Sequence, residues 1–155
     1  MASITLDVGL GTFQPIHEEE IEQHQIHSER YEISEASAVA ICKARREGRS
    51  ILAVGTTVVR ALEDAAEKSA LRHGKKWDPA NSLVEPGSAE AGIFIKPGHA
   101  FRAVNQLVTN FHLPQSTLLI LVSAFAGREF ILRAYRHAVD ARYRFYSYGD
   151  CMWIA

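Results

Sequence analysis

Cysteine is scarce in this sequence, with only Cys42 and Cys151 among 155 residues. The two lack metal-site spacing, so they read as reduced thiols and not as part of a disulfide framework. Positive charge is not in excess either. A formal net charge of −1 gives no global nucleic-acid footprint, since proteins of that kind usually carry a clear basic surplus. The N-terminus has no basic region followed by an apolar stretch, hence no signal peptide. The longest apolar run, Leu118 to Val122, is far too short to span a bilayer. Internal repeats and low-complexity segments are missing. Together these absences set a cytoplasmic location, without membrane contact, as the expectation.

What is present is ordinary globular composition: 47 % apolar and 23 % charged residues, which argues against disorder and fibrous repeats. The length suits one domain with a respectable core, so residues 1–155 read as a single α/β region. Ile4 to Val8 reads as a buried strand almost at the chain start. A domain rarely opens on a central strand whose neighbours are missing, a first hint of truncation. Its exposed sheet edge is open to pairing or swapping, which leaves the oligomeric state undecided. Gly9, Gly11 and Pro15 break that strand, and an acidic stretch follows.

His27 to Ile33 suits a short strand, and Ser34 caps a helix to about Arg46. Ile51 to Val54 is the next strand, turned by Gly55-Thr56-Thr57 into a helix from about Val58 to Arg72. His73 to Gly87, rich in Gly, Pro and charge, reads as a loop. Ile93–Ile95 and Ala103–Val108 read as strands around a Pro97-Gly98 turn. Ser116 caps an apolar helix, Thr117 to Ala126. An amphipathic helix follows from about Glu129 to Ala141, and Asp150 to Ile154 suits a final strand. Strands alternating with helices predict an α/β fold with a largely parallel sheet flanked by helices.

In open parallel sheets ligands sit beyond the carboxyl ends of strands, so the polar residues after each predicted strand are the candidates. Gly11 and Thr12 follow the first strand, where glycines and successive amides can form an anion nest. The dinucleotide fingerprint is excluded by the missing third glycine and by Pro15; a tight glycine turn is the plain alternative. His24, His27 and Glu29 form an H-x-x-H-x-E cluster. Further ligands at zinc spacing are lacking, so no metal is assigned and polar site residues or surface histidines remain.

Gly55-Thr56-Thr57 exposes amides and hydroxyls at a helix N-terminus, a natural seat for phosphate or carboxylate. With Thr57 as N-cap, Arg60 falls at N3, where a capping box would place Glu or Gln. A cation there opposes the helix dipole by a few tenths of a kcal/mol. Arg60 is therefore either an anion ligand or the partner of Glu63. In extended backbone Asn110 and His112 face one side; an amide and an imidazole can hold a purine or shuttle a proton. A loop histidine capping carbonyls is the alternative. Arg142 to Asp150 interleaves aromatics with Arg, a pattern suited to stacking bases and contacting phosphates or, alternatively, to core aromatics on a strand.

Six blocks in order carry a family resemblance: Val8-Gly9-Leu10-Gly11-Thr12-Phe13, His24-x-x-His27-x-Glu29, Val54-Gly55-Thr56-Thr57, Thr109-Asn110-Phe111-His112-Leu113-Pro114, Leu121-Val122-Ser123-Ala124-Phe125 and Arg144-Phe145-Tyr146-Ser147-Tyr148-Gly149-Asp150. The set is similar to the S-adenosylmethionine:tRNA ribosyltransferase-isomerases. That resemblance implies a transferase of queuosine biosynthesis. It moves the ribosyl unit of S-adenosylmethionine to 7-aminomethyl-7-deazaguanine at the tRNA wobble position and isomerises it to give epoxyqueuosine, releasing adenine and methionine. It also implies S-adenosylmethionine as a co-substrate, with no resident cofactor, and the tRNA anticodon loop as partner. Only the C-terminal portion of the family's α/β domain is matched. The upstream Pro-Thr-Ala-Gly-Leu-His-Phe motif and the inserted β-barrel domain are absent from the sequence. Asp7 stands where the family usually has His, and Ala91-Gly92 where Thr and an acidic residue are common.

From residue chemistry, His112 is the first catalytic candidate, with His24, His27 and Glu29 after it. Thr56, Thr57 and Arg60 are assigned to a carboxylate or phosphate, and Asn110 to the adenine. Gly11 and Thr12 are placed with the ligand, and Arg144, Tyr146, Tyr148 and Asp150 with the anticodon loop. The alternative is a non-catalytic fragment that binds RNA or a partner.

Overall fold

A computed structural model describes residues 1–9 and 26–155. Gly11, Thr12 and His24 lie outside the described residues. The first sheet contains β1 (Thr5–Asp7), β2 (Glu29–Ile33) and β4 (Gly87–Ala91) in the order β1-β2-β4, and both pairings are antiparallel. β2 alternates strictly, with Glu29, Tyr31 and Ile33 buried and Arg30 and Glu32 exposed, as a half-buried strand should. The second sheet contains β3 (Leu52–Val54), β5 (Gln106–Asn110) and β6 (Cys151–Ile154) in the order β3-β5-β6. There β3 runs parallel to β5, and β6 runs antiparallel to it.

The expected largely parallel sheet is therefore corrected. Among the described residues the fold is α/β with two small, mostly antiparallel sheets, and β3–β5 is the parallel pair. Periodicity identifies strands but not their partners, and strands separated by long connections can pair either way.

Between the strands lie α1 (Glu35–Arg46), α2 (Thr56–His73), α3 (Pro79–Ser82), α4 (Thr117–Ala126) and α5 (Arg128–Asp140). Ser34 caps α1, its Oγ accepting from the Ser37 N–H at 3.2 Å, and Ser116 caps α4 in the same way through Leu119 N–H at 3.2 Å. Both caps satisfy an otherwise orphaned amide. α2 begins at Thr56, two residues before the expected Val58, so Arg60 is its fifth residue and not N3. Gly55 is its N-cap, at φ +100°, a conformation that L side chains rarely adopt.

The expected 73–87 loop also contains structure. Asp78 accepts from the Ala80 N–H at 2.9 Å, and Pro79 opens α3, with its fixed φ suited to a first helical position. Leu83 and Val84 then enter the core. That core is built from Ile33, Val59, Leu83, Ile95, Leu107, Val122 and Ile131, and α2 packs against strands of both sheets. Among the described residues no helix is long and apolar enough to cross a membrane.

Candidate functional site

β3 and β5 lie side by side in parallel, and a helix starts shortly after each: α2 directly after Gly55, α4 after Ser116. Their carboxyl ends therefore point toward two helix N-termini, the arrangement that forms a ligand crevice in parallel sheets. A cleft of about 260 Å³ opens there, lined by Gly55, Thr56 and Thr57 on one side and by Thr109, Asn110 and His112 on the other. Phe111, Leu113 and Leu118 supply apolar wall, and Tyr146 and Ser147 stand at the same cleft.

His112 is half-buried, and its Nε2 lies 2.9 Å from Thr109 Oγ1. Burial disfavours the imidazolium and lowers the pKa to about 4, so the ring is neutral at pH 7. Its backbone N–H donates to the Tyr135 hydroxyl at 2.8 Å. Burial pushes that hydroxyl up to about 12, against the smaller opposing effect of the bond from His112. Asn110 is exposed, and its Nδ2 donates to the Asp150 carbonyl at 3.2 Å. Asn110 and His112 thus reach the same cleft, as their spacing predicts, one anchored to the C-terminal strand and the other to Thr109.

Arg60 is 5 % exposed and lies one turn into α2. Its Nη2 sits 2.7 Å from Glu29 Oε2 and donates to the His27 carbonyl at 3.1 Å. Of the two readings offered for Arg60, the pairing with Glu63 is thereby overturned. Glu63 instead accepts the backbone N–H groups of Arg102, Ala103 and Val104 at 2.7, 3.0 and 2.9 Å. Glu29, read from sequence as a catalytic candidate, is the buried counterion of Arg60. The His27 side chain is exposed, and its carbonyl holds Arg60 in place.

The Arg142–Asp150 segment divides by role. Arg144 closes a loop on Asp150, donating from its backbone N–H at 2.6 Å and from Nη2 at 3.1 Å. These bonds from Arg144 hold the Asp150 carboxyl below the usual carboxylate range. Phe145 stacks on Phe111 at 5.0 Å and 29°, but it is half-buried and lies before the strand β6, so it is not the core aromatic on a strand that the alternative expected. Tyr146, at φ +60°, donates its N–H to the Phe111 carbonyl at 2.9 Å, which fixes it at the cleft. Tyr148 is 74 % exposed.

Sequence reasoning singled out neither Thr109 nor Tyr135. Thr109 carried a readable signal, since it opens the strand-end block that holds Asn110 and His112. Tyr135 carried none, because its reach to His112 depends on how α5 packs. Among the described residues no three His, Cys, Asp or Glu side chains are grouped to hold a metal.

A sequence profile of the family described as "Queuosine biosynthesis protein" matches residues 1–154. The S-adenosylmethionine:tRNA ribosyltransferase-isomerase of Geobacter sulfurreducens is 53 % identical over 154 residues, covering 99 % of this chain and 41 % of that protein. The protein of the same name from Sorangium cellulosum is 55 % identical over 155 residues, covering 99 % of this chain and 38 % of its own length. The crystal structure of S-adenosylmethionine tRNA ribosyltransferase from Thermotoga maritima is similar with a TM-score of 0.67 at 43 % identity, over 82 % of this chain and 41 % of that one. The chain thus spans about two fifths of the length of these relatives. With a family profile matched from its first residue to its penultimate one, it belongs to the queuosine biosynthesis protein family.

Proposed function

We propose that this chain contributes the β3–β5 cleft to an S-adenosylmethionine-dependent tRNA ribosyltransferase-isomerase. In this reading the enzyme moves the ribosyl unit of S-adenosylmethionine onto 7-aminomethyl-7-deazaguanine in the anticodon loop. Isomerisation there gives epoxyqueuosine, with adenine and methionine released. The observation that carries the proposal is the cleft itself, which unites three of the six ordered sequence blocks at the carboxyl ends of two parallel strands.

Each residue then has a part. Asn110 and a neutral His112 bind the adenine or accept a proton, since an imidazole with a pKa of about 4 is a base or hydrogen-bonding group at neutral pH and not an acid. The Thr56 and Thr57 amides, at the positive end of α2, receive an anionic group of the nucleoside ligand or of the tRNA. Tyr146 and Tyr148 offer rings for unstacked bases of the loop, with Arg144 and Asp150 holding their segment in shape.

The test is turnover. His112→Ala in a full-length relative should lower the rate by roughly 10²-fold or more; a near-normal rate removes the role. A second reading, binding without turnover, is favoured by one fact, the chain's span of 41 % of the Geobacter relative. Epoxyqueuosine formed by the 155-residue chain itself would exclude it.

A further inference from the structure

Beneath the 260 Å³ cleft, and sharing Thr56, Thr57 and Leu118 with it, lies a second cavity of only about 10 Å³. Arg60 and Thr117 complete its polar wall, with Ile26, Ile95 and Leu121 among its apolar neighbours. Two helices begin here. Thr56 and Thr57 are the first residues of α2, and Thr117 and Leu118 the first of α4. Gly55 supplies no side-chain acceptor to the first amides of α2.

Among the described residues two donors in this wall have no hydrogen-bond partner: Arg60 Nε and Thr117 Oγ1. They belong to residues 5 % and 7 % exposed, where an unsatisfied polar group is costly, about 1–3 kcal/mol each. Helix N-termini and buried, unmatched donors thus converge on one small space.

We propose that this space is a carboxylate subsite, taking one oxygen of the amino-acid end of the ligand whose remainder fills the cleft above; the inference rests on the ligand reading given under Proposed function. Charge selects a single negative unit. Glu29 at 2.7 Å matches the charge of Arg60, and the two helix N-termini together offer roughly one positive charge. About 10 Å³ admits one water-sized group, so a single oxygen enters, and the single positive unit there suits a carboxylate better than a phosphate monoester of about −1.5 to −2 charge. The Thr117 hydroxyl and the Arg60 Nε–H donate to that oxygen, and the Thr56 and Thr57 amides face its mate.

The test is a nuclear magnetic resonance titration of the whole ¹⁵N-labelled chain, read at the Arg60 Nε–H and the Thr56 and Thr57 amides. L-Methionine should move these resonances, and L-methioninamide, which lacks the carboxylate, should not. Thr117→Val should weaken the methionine response about tenfold, the loss of one good hydrogen bond, and Thr117→Ser should hold it within about twofold. The subsite is overturned by no response to methionine, by an equal response to methioninamide or inorganic phosphate, or by a Thr117→Val titration matching the parent. S-Adenosylmethionine separates the two readings. If methionine binds as described and S-adenosylmethionine does not compete, the subsite stands and the reaction assignment falls. If S-adenosylmethionine fills the cleft without moving Arg60 Nε–H, the subsite falls and the assignment stands.

Discussion

His112 stays neutral down to about pH 4, because burial penalises its charged form. An unfolded histidine takes up its proton near pH 6.5. Between those values the unfolded chain binds a proton that the folded chain excludes. The contribution to stability is therefore complete above about pH 6.5 and is lost as pH falls through the window. At about 1.4 kcal/mol per pKa unit, the loss approaches roughly 3 kcal/mol near pH 4. His112→Gln should remove this part of the acid sensitivity. Urea midpoints taken at intervals from pH 7 to pH 4 should fall less steeply in the variant; parallel curves would show that the ring is not protected as described. The position of this histidine was legible in the sequence, since Asn110 and His112 alternate at a strand end. Its pKa was not, because burial comes from tertiary packing that spacing does not reveal, with Tyr135 of α5 bonded to its backbone N–H. Arg60 is the converse case: its oddity at the start of a helix was visible, yet its partner Glu29 lies 31 residues away, and spacing along one helix points only to Glu63.

Secondary elements owe several of their boundaries to single side chains. Expected from Ala103, the strand β5 begins at Gln106, and Glu63 explains the delay. Its carboxylate takes the N–H groups of residues 102, 103 and 104, which are then unavailable to a ladder. Asn105 adds a second brace, its Oδ1 accepting from the Ile51 N–H at 3.0 Å. The apolar Ile93–Ile95 run, expected as a strand, packs into the core without joining a sheet, and the less apolar Gly87–Ala91 pairs with β2 instead. Strand preference reflects packing and available partners more than backbone bias, so this exchange was out of reach of periodicity. Helix starts, by contrast, were legible to within a residue or two, because Ser34, Ser116 and Gly55 act locally. Glu63→Gln tests the brace. It swaps one acceptor oxygen for an NH₂ that confronts backbone N–H groups, and should destabilise the fold by about 2–3 kcal/mol. A lower urea midpoint at unchanged slope is the expected signature, and an unchanged midpoint would relieve Glu63 of this role.

At the scale of the whole molecule the two sheets differ in how well they are covered. β3 is an edge strand whose outer side meets no other strand among the described residues, and Leu52 and Val54 on it are 46 % and 66 % exposed. Beside them runs a groove of about 620 Å³, lined on its apolar parts by Met1, Ile4, Ile41, Ile51, Leu52 and Val54. Unpaired edges with apolar side chains invite pairing with another chain, and large apolar surfaces on monomers are seldom left open. The sequence reading placed the open edge at the first strand. β1 is indeed an edge strand, paired with β2 alone among the described residues, and the edge beside the groove is that of β3. The isolated chain should therefore self-associate as its concentration rises, through β3. Val54→Lys places a charge at the middle of this surface, a common way of blunting an edge, while leaving the cleft untouched because Val54 does not line it. Sedimentation velocity over a hundredfold range of concentration should show a rising average mass for the parent and a constant, monomeric mass for Val54→Lys. A parent that stays monomeric throughout would mean that the edge is protected by its twist and short length, and a variant that associates like the parent would move the contact elsewhere.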